Sequence, residues 1–260
     1  MLQRISVFVY GVICYALFLA SFLYAIGFVG NFLVPRSMDG VPQGDLLRSL
    51  LIDVGLLGIF AVQHSVMARG AFKRWLTRLI PEAAERSTYV LASSLALIAL
   101  FAFWQPLGGV VWNVEDPALR GILYALFAFG WMLVLVSTFL INHFDLFGLR
   151  QVWLNLLGRP YRAIGFRTPG PYRYLRHPLY LGWFFAFWAT PLMTWTHLLF
   201  AVATSAYILI AIQLEERDLV GALGEQYRDY RKRVPMLIPF TKARYASEGG
   251  VQVAVRESRT

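Results

Sequence analysis

Long apolar runs separated by short polar breaks dominate this chain. A bilayer crossing takes about 20 mainly apolar residues. Runs of that order occupy residues 5–33, 46–67, 88–104 and 119–141. The first follows Arg4 but is too long for a signal-peptide core of roughly 7–15 residues, so it reads as a retained first span. A fifth run, 179–215, is long enough for two passes. Pro191 and the Thr194-Trp195-Thr196 stretch mark a turn inside it, which predicts a helical hairpin of 179–189 and 197–214, its first arm short for a full crossing. The pattern therefore predicts an all-α polytopic transmembrane helix bundle of five to six membrane segments, the last two a hairpin. A single domain covers residues 1–242, and a polar tail follows from 243 to 260.

Composition agrees. The 260 residues are 58% hydrophobic and 15% charged, against about half and a quarter in soluble domains. The only cysteine, Cys14, lies in an apolar run and excludes an intrachain disulfide. The formal net charge of +9 is unevenly placed. One basic loop carries Arg69, Lys73, Arg74, Arg78 and Arg86. The loop after the fourth span is equally arginine-rich, from Arg150 to Arg176, and the C-terminal segment carries Arg228, Arg231, Lys232 and Arg233. The intervening loop at 105–117 has Glu115 and Asp116 and no basic residue, and that at 34–45 has only Arg36. Basic loops alternate, which predicts that the N-terminus, the basic loops and the C-terminus face the cytoplasm. Most of these arginines need no role beyond topology and headgroup anchoring. Polar and aromatic residues collect on that side, at about 142–240.

Candidate chemistry lies there too. His64, His143 and His177 fall at one depth, near cytoplasmic ends of spans, while His197 lies near the opposite surface as an interfacial residue. Each is open to a packing role or to facing a polar cavity. No second histidine stands at helical spacing and no Cys or acidic cluster completes a set, so no metal site is expected; haem ligation by a histidine pair is a thin alternative. Glu215 and Glu216 are read as ending the last apolar helix, where the helix dipole disfavours negative charge. Glu215 continues the stripe of Ile208 and Ala211, making it the inward candidate, with Glu216 turned about 100° away. Tyr227 and Tyr230 share a helix face, either lying on lipid or turned inward. The segment Gly165 to Pro178 has prolines and glycines that fix bends and free backbone N–H groups. No dinucleotide or mononucleotide glycine motif is present.

The order Arg176-His177-Pro178-Leu179-Tyr180, an apolar hairpin, Glu215-Glu216, then Gly224-Glu225-Gln226-Tyr227-Arg228-Asp229-Tyr230 and Val234-Pro235 resembles the isoprenylcysteine carboxyl methyltransferase superfamily. The segments "AVQHSVMAR", "INHFDLFGLRQVWLNLLGRPY" and "HPLYLGWFFAFWATPLMTWTHLLF" are similar to a narrower group, the bacterial methanethiol S-methyltransferases. That resemblance implies methyl transfer from S-adenosyl-L-methionine to methanethiol, with S-adenosyl-L-homocysteine and dimethyl sulfide as products, in a cytoplasmic pocket of a bacterial inner-membrane protein. Carried over by position, the cofactor site takes in Ile164, Gly165, Phe166, Arg167, Tyr172, His177, Pro178, Leu179, Tyr180 and Glu215. The implied partners are a small volatile thiol and the lipid bilayer, with no nucleic acid and no obligate protein partner.

One departure narrows the substrate. The prenylcysteine enzymes carry an arginine about a turn before this Glu, and here that turn is Ala211-Ile212-Gln213-Leu214. A carboxylate substrate would lack its charged partner. A thiol needs conversion to thiolate to attack well. His143, oriented by Asp145, is the expected base or thiolate stabiliser, with His64 as the alternate. Other readings are a methyltransferase for a phospholipid amine or a prenylcysteine carboxylate, or a non-enzymatic haem-binding membrane protein.

Overall fold

The computed structural model describes residues 1–42, 44–239 and 241, so the tail at 243–260 lies outside the described residues. Among the described residues five helices are long and apolar enough to cross a membrane: α1 (Leu2–Gly30), α2 (Leu46–Ala68), α4 (Glu85–Phe103), α5 (Pro117–Ile141) and α9 (Trp195–Leu223). Between and after them lie the shorter α3 (Gly70–Leu76), α6 (His143–Leu146), α7 (Leu149–Leu156), α8 (Pro178–Trp188) and α10 (Glu225–Arg233). Side-chain oxygens cap the starts of three spans: Asp45 accepts from the Arg48 N–H, Asp116 from Leu119 and Thr194 from His197. Each cap satisfies an N–H that the first turn leaves without a partner.

The expected hairpin is present, with two changes. Its first arm, α8, has 11 residues, about 16 Å of helix. The chain then turns, the Thr190 N–H donating to the Trp188 carbonyl at 2.9 Å, into a strand, β2 (Leu192–Thr194), paired antiparallel with β1 (Val110–Asn113) from the loop between α4 and α5. That pairing, rather than the length of α8, places the turn at the end of the bundle opposite His177. The strand pair is the one element type the apolar pattern does not announce, because three or four residues carry no readable period. The second change is that α9 continues to Leu223, so Glu215 and Glu216 do not end it. They lie two turns inside, where the helix-end penalty does not apply.

α5 and α8 approach most closely, at glycines. A Cβ on Gly182 would lie 2.8 Å from the Gly130 carbonyl oxygen, and one on Gly130 would lie 2.5 Å from the Ala186 nitrogen. The core between the spans is aromatic and aliphatic, including Phe28, Leu100, Trp104, Phe127, Trp131, Ala186, Ile208 and Ile212. At the β1–β2 end, His197 is buried rather than interfacial: its Nδ1 lies 3.2 Å from Asp39 and its Nε2 is 2.9 Å from the Phe187 carbonyl. Asp39 also accepts from Thr194 and, at 2.7 Å, from Asn31. A histidine in that position is needed to pair the Asp39 carboxylate beneath the turn.

Candidate functional site

The opposite end of the bundle gathers the remaining polar groups. The segment before α8 is fixed first. A 3₁₀ turn over Gly170–Arg173 leads to Arg176, whose guanidinium donates to Glu216 at 2.7 Å and to the carbonyls of Val234 at 2.7 Å and Arg231 at 2.9 Å. His177 stands just before the first turn of α8, and its Nε2 lies 3.0 Å from the same Glu216 oxygen. The backbone N–H groups of Arg176 and His177 donate to Pro235 and Met236. Arg176, His177 and Glu216 thus form a buried, mutually satisfied lock joining α8, α9 and the chain after α10. The Arg176 guanidinium and the His177 ring, together in low dielectric, compensate the carboxylate's lost hydration.

Glu216, not Glu215, is therefore the fully buried member of the pair. The buried stripe of α9 runs Ile208, Ile212, Glu216, each four residues on. Ile208 also begins the stripe through Ala211 to Glu215, and sequence alone does not decide between i+7 and i+8. Glu215 is about half-exposed and accepts from the Tyr180 hydroxyl at 2.9 Å, with His177 Nδ1 4.0 Å away. It remains beside the loop residues with which it was grouped, its carboxylate on the open side of the lock.

Of the loop, Ile164 and Phe166 are half-buried while Gly165 and Arg167 are exposed. Phe166 meets Tyr230 at 5.3 Å and Tyr227 at 5.9 Å, edge to face. Both tyrosines of α10 are turned inward, and Tyr230 donates to the Tyr172 carbonyl at 2.5 Å. Pro178 is buried and Leu179 half-buried in the first turn of α8. Tyr172 Oη and Ser137 Oγ are buried near one another, and among the described residues neither has a hydrogen-bond partner at full bonding geometry. Burial, and next the nearby Glu215 charge, push the Tyr172 phenol above its ordinary range, so it is a neutral donor.

The histidines share the end of the bundle but not one cluster. The Thr138 hydroxyl donates to the Leu135 carbonyl at 2.6 Å, so it accepts from His143 Nδ1–H at 2.9 Å. His143 Nε2 is then the acceptor, 2.9 Å from the Tyr15 hydroxyl. Phe139 stacks on the ring at 4.3 Å. His64 repeats the arrangement: Ser93 donates to the Tyr89 carbonyl, so it accepts from Nδ1–H at 3.2 Å, and Nε2 faces the Tyr89 hydroxyl at 2.8 Å. Arg86 lies 5.0 Å over the Tyr89 ring and donates to the Leu146 carbonyl, bridging the two regions. Asp145 does not orient His143. Its carboxylate holds Arg150 at 2.7 Å and Tyr161 at 3.3 Å. Residues two apart on a helix point to nearly opposite sides. Thr138 does the orienting instead. Sequence spacing had no way to nominate Tyr15, Tyr89 or Arg86, which lie on other helices.

Among the described residues no group of three or more His, Cys, Asp or Glu is placed to hold a metal ion. The arrangement instead offers a half-exposed carboxylate, two buried hydroxyls lacking partners and two tyrosine-backed imidazoles around one end of α5, α8 and α9.

Residues 120–226, from α5 into α10, match the family described as phospholipid methyltransferase. Three relatives are all named methanethiol S-methyltransferase. That of Crocosphaera subtropica is 59% identical over 92% of this chain and 94% of its own length. That of Mycobacterium tuberculosis is 54% identical over 92% of this chain and 98% of its own. A second-numbered form from Bradyrhizobium diazoefficiens is 50% identical over 94% of both chains. No solved structure matches.

Proposed function

The chain belongs to the methanethiol S-methyltransferase family, and from that premise we propose that it methylates the sulfur of methanethiol with S-adenosylmethionine, releasing dimethyl sulfide and S-adenosylhomocysteine. It is a membrane enzyme, and a methyl donor is implied by its class. The observation that supports the assignment to this site is the Arg176–His177–Glu216 lock, which fixes Tyr180 and the half-exposed Glu215 beside the Tyr172 turn.

The residues present fit the donor. When bound, S-adenosylmethionine supplies an electrophilic methyl group on a sulfonium. Glu215 accepts from its ammonium or ribose hydroxyls, the partnerless hydroxyls of Tyr172 and Ser137 donate to it, and Ile164, Phe166, Pro178, Leu179 and Tyr180 present apolar and aromatic surface. Gly165, Arg167 and His177 complete the surround, through backbone N–H groups, the guanidinium and the ring. The basic loops at this end support a site on the cytoplasmic side of a bacterial inner membrane. The lack of a basic group on the turn before Glu215 disfavours a carboxylate substrate.

His143 takes the thiol proton. The Tyr15 oxygen receives the proton from sulfur as its own passes to His143 Nε2, so charge moves without a free hydroxide. Tyr89 and His64 are the alternate pair. Burial lowers the His143 pKa below 6.5, so the neutral, accepting form persists through neutrality, and an acid limb set by it falls below that value. His143→Ala should cut turnover about 10²- to 10⁴-fold and abolish that limb while leaving S-adenosylhomocysteine affinity unchanged, as measured by calorimetry. Full turnover in both His143→Ala and His64→Ala would remove histidine from the mechanism.

A further inference from the structure

Trp131 is 5% exposed, and its indole N–H has no acceptor among the described residues. A buried donor left unmade costs on the order of 1–3 kcal/mol, and such groups in native proteins call for an explanation. Trp104 also has a buried indole N–H without a partner, but it lies at the far end of α4, packed on Phe28 and Phe200. Trp131 sits elsewhere. It is seven residues before Thr138 on the same face of α5, about 10 Å deeper than the residue that orients His143. On α1, Tyr15, Phe18 and Phe22 form the facing stripe. Tyr15 touches His143, Phe18 meets Phe22 at 6.0 Å, and Phe22 meets Trp131 edge to face at 5.4 Å. On α8, Trp183 lies one turn deeper than Tyr180 and meets Trp131 at 5.2 Å. An aromatic column therefore leads from the proton acceptor and the Tyr180–Glu215 pair down to Phe22, Trp131 and Trp183. Phe127 and Phe187 back the two tryptophans. The close Gly130–Gly182 approach fixes the two tryptophan-bearing helices against each other.

We propose that Phe22, Trp131 and Trp183 form the floor of the thiol site, that the Trp131 indole N–H donates to the substrate sulfur, and that the three rings restrict the substrate to a one-carbon thiol. This deepens the methanethiol reading and rests on it. A thiolate is a strong acceptor, and charge-assisted hydrogen bonds are about twice as strong as neutral ones. Polarizable sulfur also packs well against ring edges. Once the sulfur is methylated it is neutral and a poor acceptor, so the same N–H that holds the nucleophile does not hold the product.

The test uses the full chain in lipid nanodiscs, assayed with methanethiol, ethanethiol and 1-propanethiol, with S-adenosylhomocysteine affinity measured in parallel. Trp131→Phe keeps the ring and removes the N–H. KM for methanethiol should rise about ten- to a hundredfold, with S-adenosylhomocysteine affinity unchanged. Trp183→Leu opens the floor, and kcat/KM for 1-propanethiol relative to methanethiol should rise at least about tenfold. A wild-type KM in Trp131→Phe, meaning that the N–H meets a ring face instead of sulfur, overturns the proposal. So does an unchanged chain-length preference in Trp183→Leu, which decides the matter alone if Trp131→Phe does not fold. A wild-type protein that makes no dimethyl sulfide would instead sink the substrate reading itself.

Discussion

Glu216 lies between Arg176 and His177, while its neighbour Glu215 reaches Tyr180 from the open side. Substitution should separate their tasks. Glu216→Gln leaves a buried guanidinium without its counter-charge, and breaking such a pair costs on the order of 3–5 kcal/mol. Thermal unfolding in detergent should show a large loss of stability, with S-adenosylhomocysteine binding weakened as α8 loosens. Glu215→Gln should leave the unfolding midpoint within a degree or two and weaken S-adenosylhomocysteine about tenfold or more. The reverse pattern would mean the roles are exchanged. The sequence made the Arg176-His177-Pro178 turn and the acidic pair readable as partners, because the motif order is distinctive. It pointed to Glu215 as the inward member where the structure buries Glu216, since Ile208 begins both possible stripes and only the position of α8 selects one. The same reason hid Thr138 behind Asp145. A nearby charge is the obvious partner for a histidine until the helix geometry carries it to the other side.

The apolar runs located four of the five long helices within a few residues at both ends, and the start of the fifth, since length and hydropathy suffice at that scale. What they missed were the short pieces: the β1–β2 pair, and α9 carrying its charged residues on past the apolar run to Leu223. Polar residues end a hydrophobic run but not necessarily a helix, and Glu, Arg and Leu are all good helix formers. The short arm α8 depends on an exact seat against α5. Gly182→Ala would push a methyl group to 2.8 Å from the Gly130 oxygen and 2.9 Å from the Val134 nitrogen. Both are backbone atoms that cannot rotate away. The helices must separate, costing about 1–3 kcal/mol and shifting Trp183 and Tyr180 together. Lower thermal stability with reduced turnover is the expected result, and a silent Gly182→Ala would show that this approach does not position the site.

For the whole molecule we propose that α1, α2, α4, α5, the α8 arm and α9 each cross the bilayer, an even number, so that α1 begins and α10 ends on one side, and the alternation of basic loops predicts that side to be cytoplasmic. Cysteines introduced by Glu115→Cys and Arg167→Cys, in a background lacking the buried Cys14, should label from opposite faces of intact spheroplasts, Glu115→Cys from outside. Labelling of both from the same face would contradict this topology. The central claim is chemical, and one measurement tests it directly. Purified protein in nanodiscs receives methanethiol and S-adenosylmethionine whose transferable methyl is trideuterated, and the headspace gas is analysed by mass spectrometry. The account predicts dimethyl sulfide three mass units heavy, formed only with both reactants and much reduced by Glu215→Gln. Unlabelled dimethyl sulfide, none at all, or undiminished formation by Glu215→Gln would contradict it.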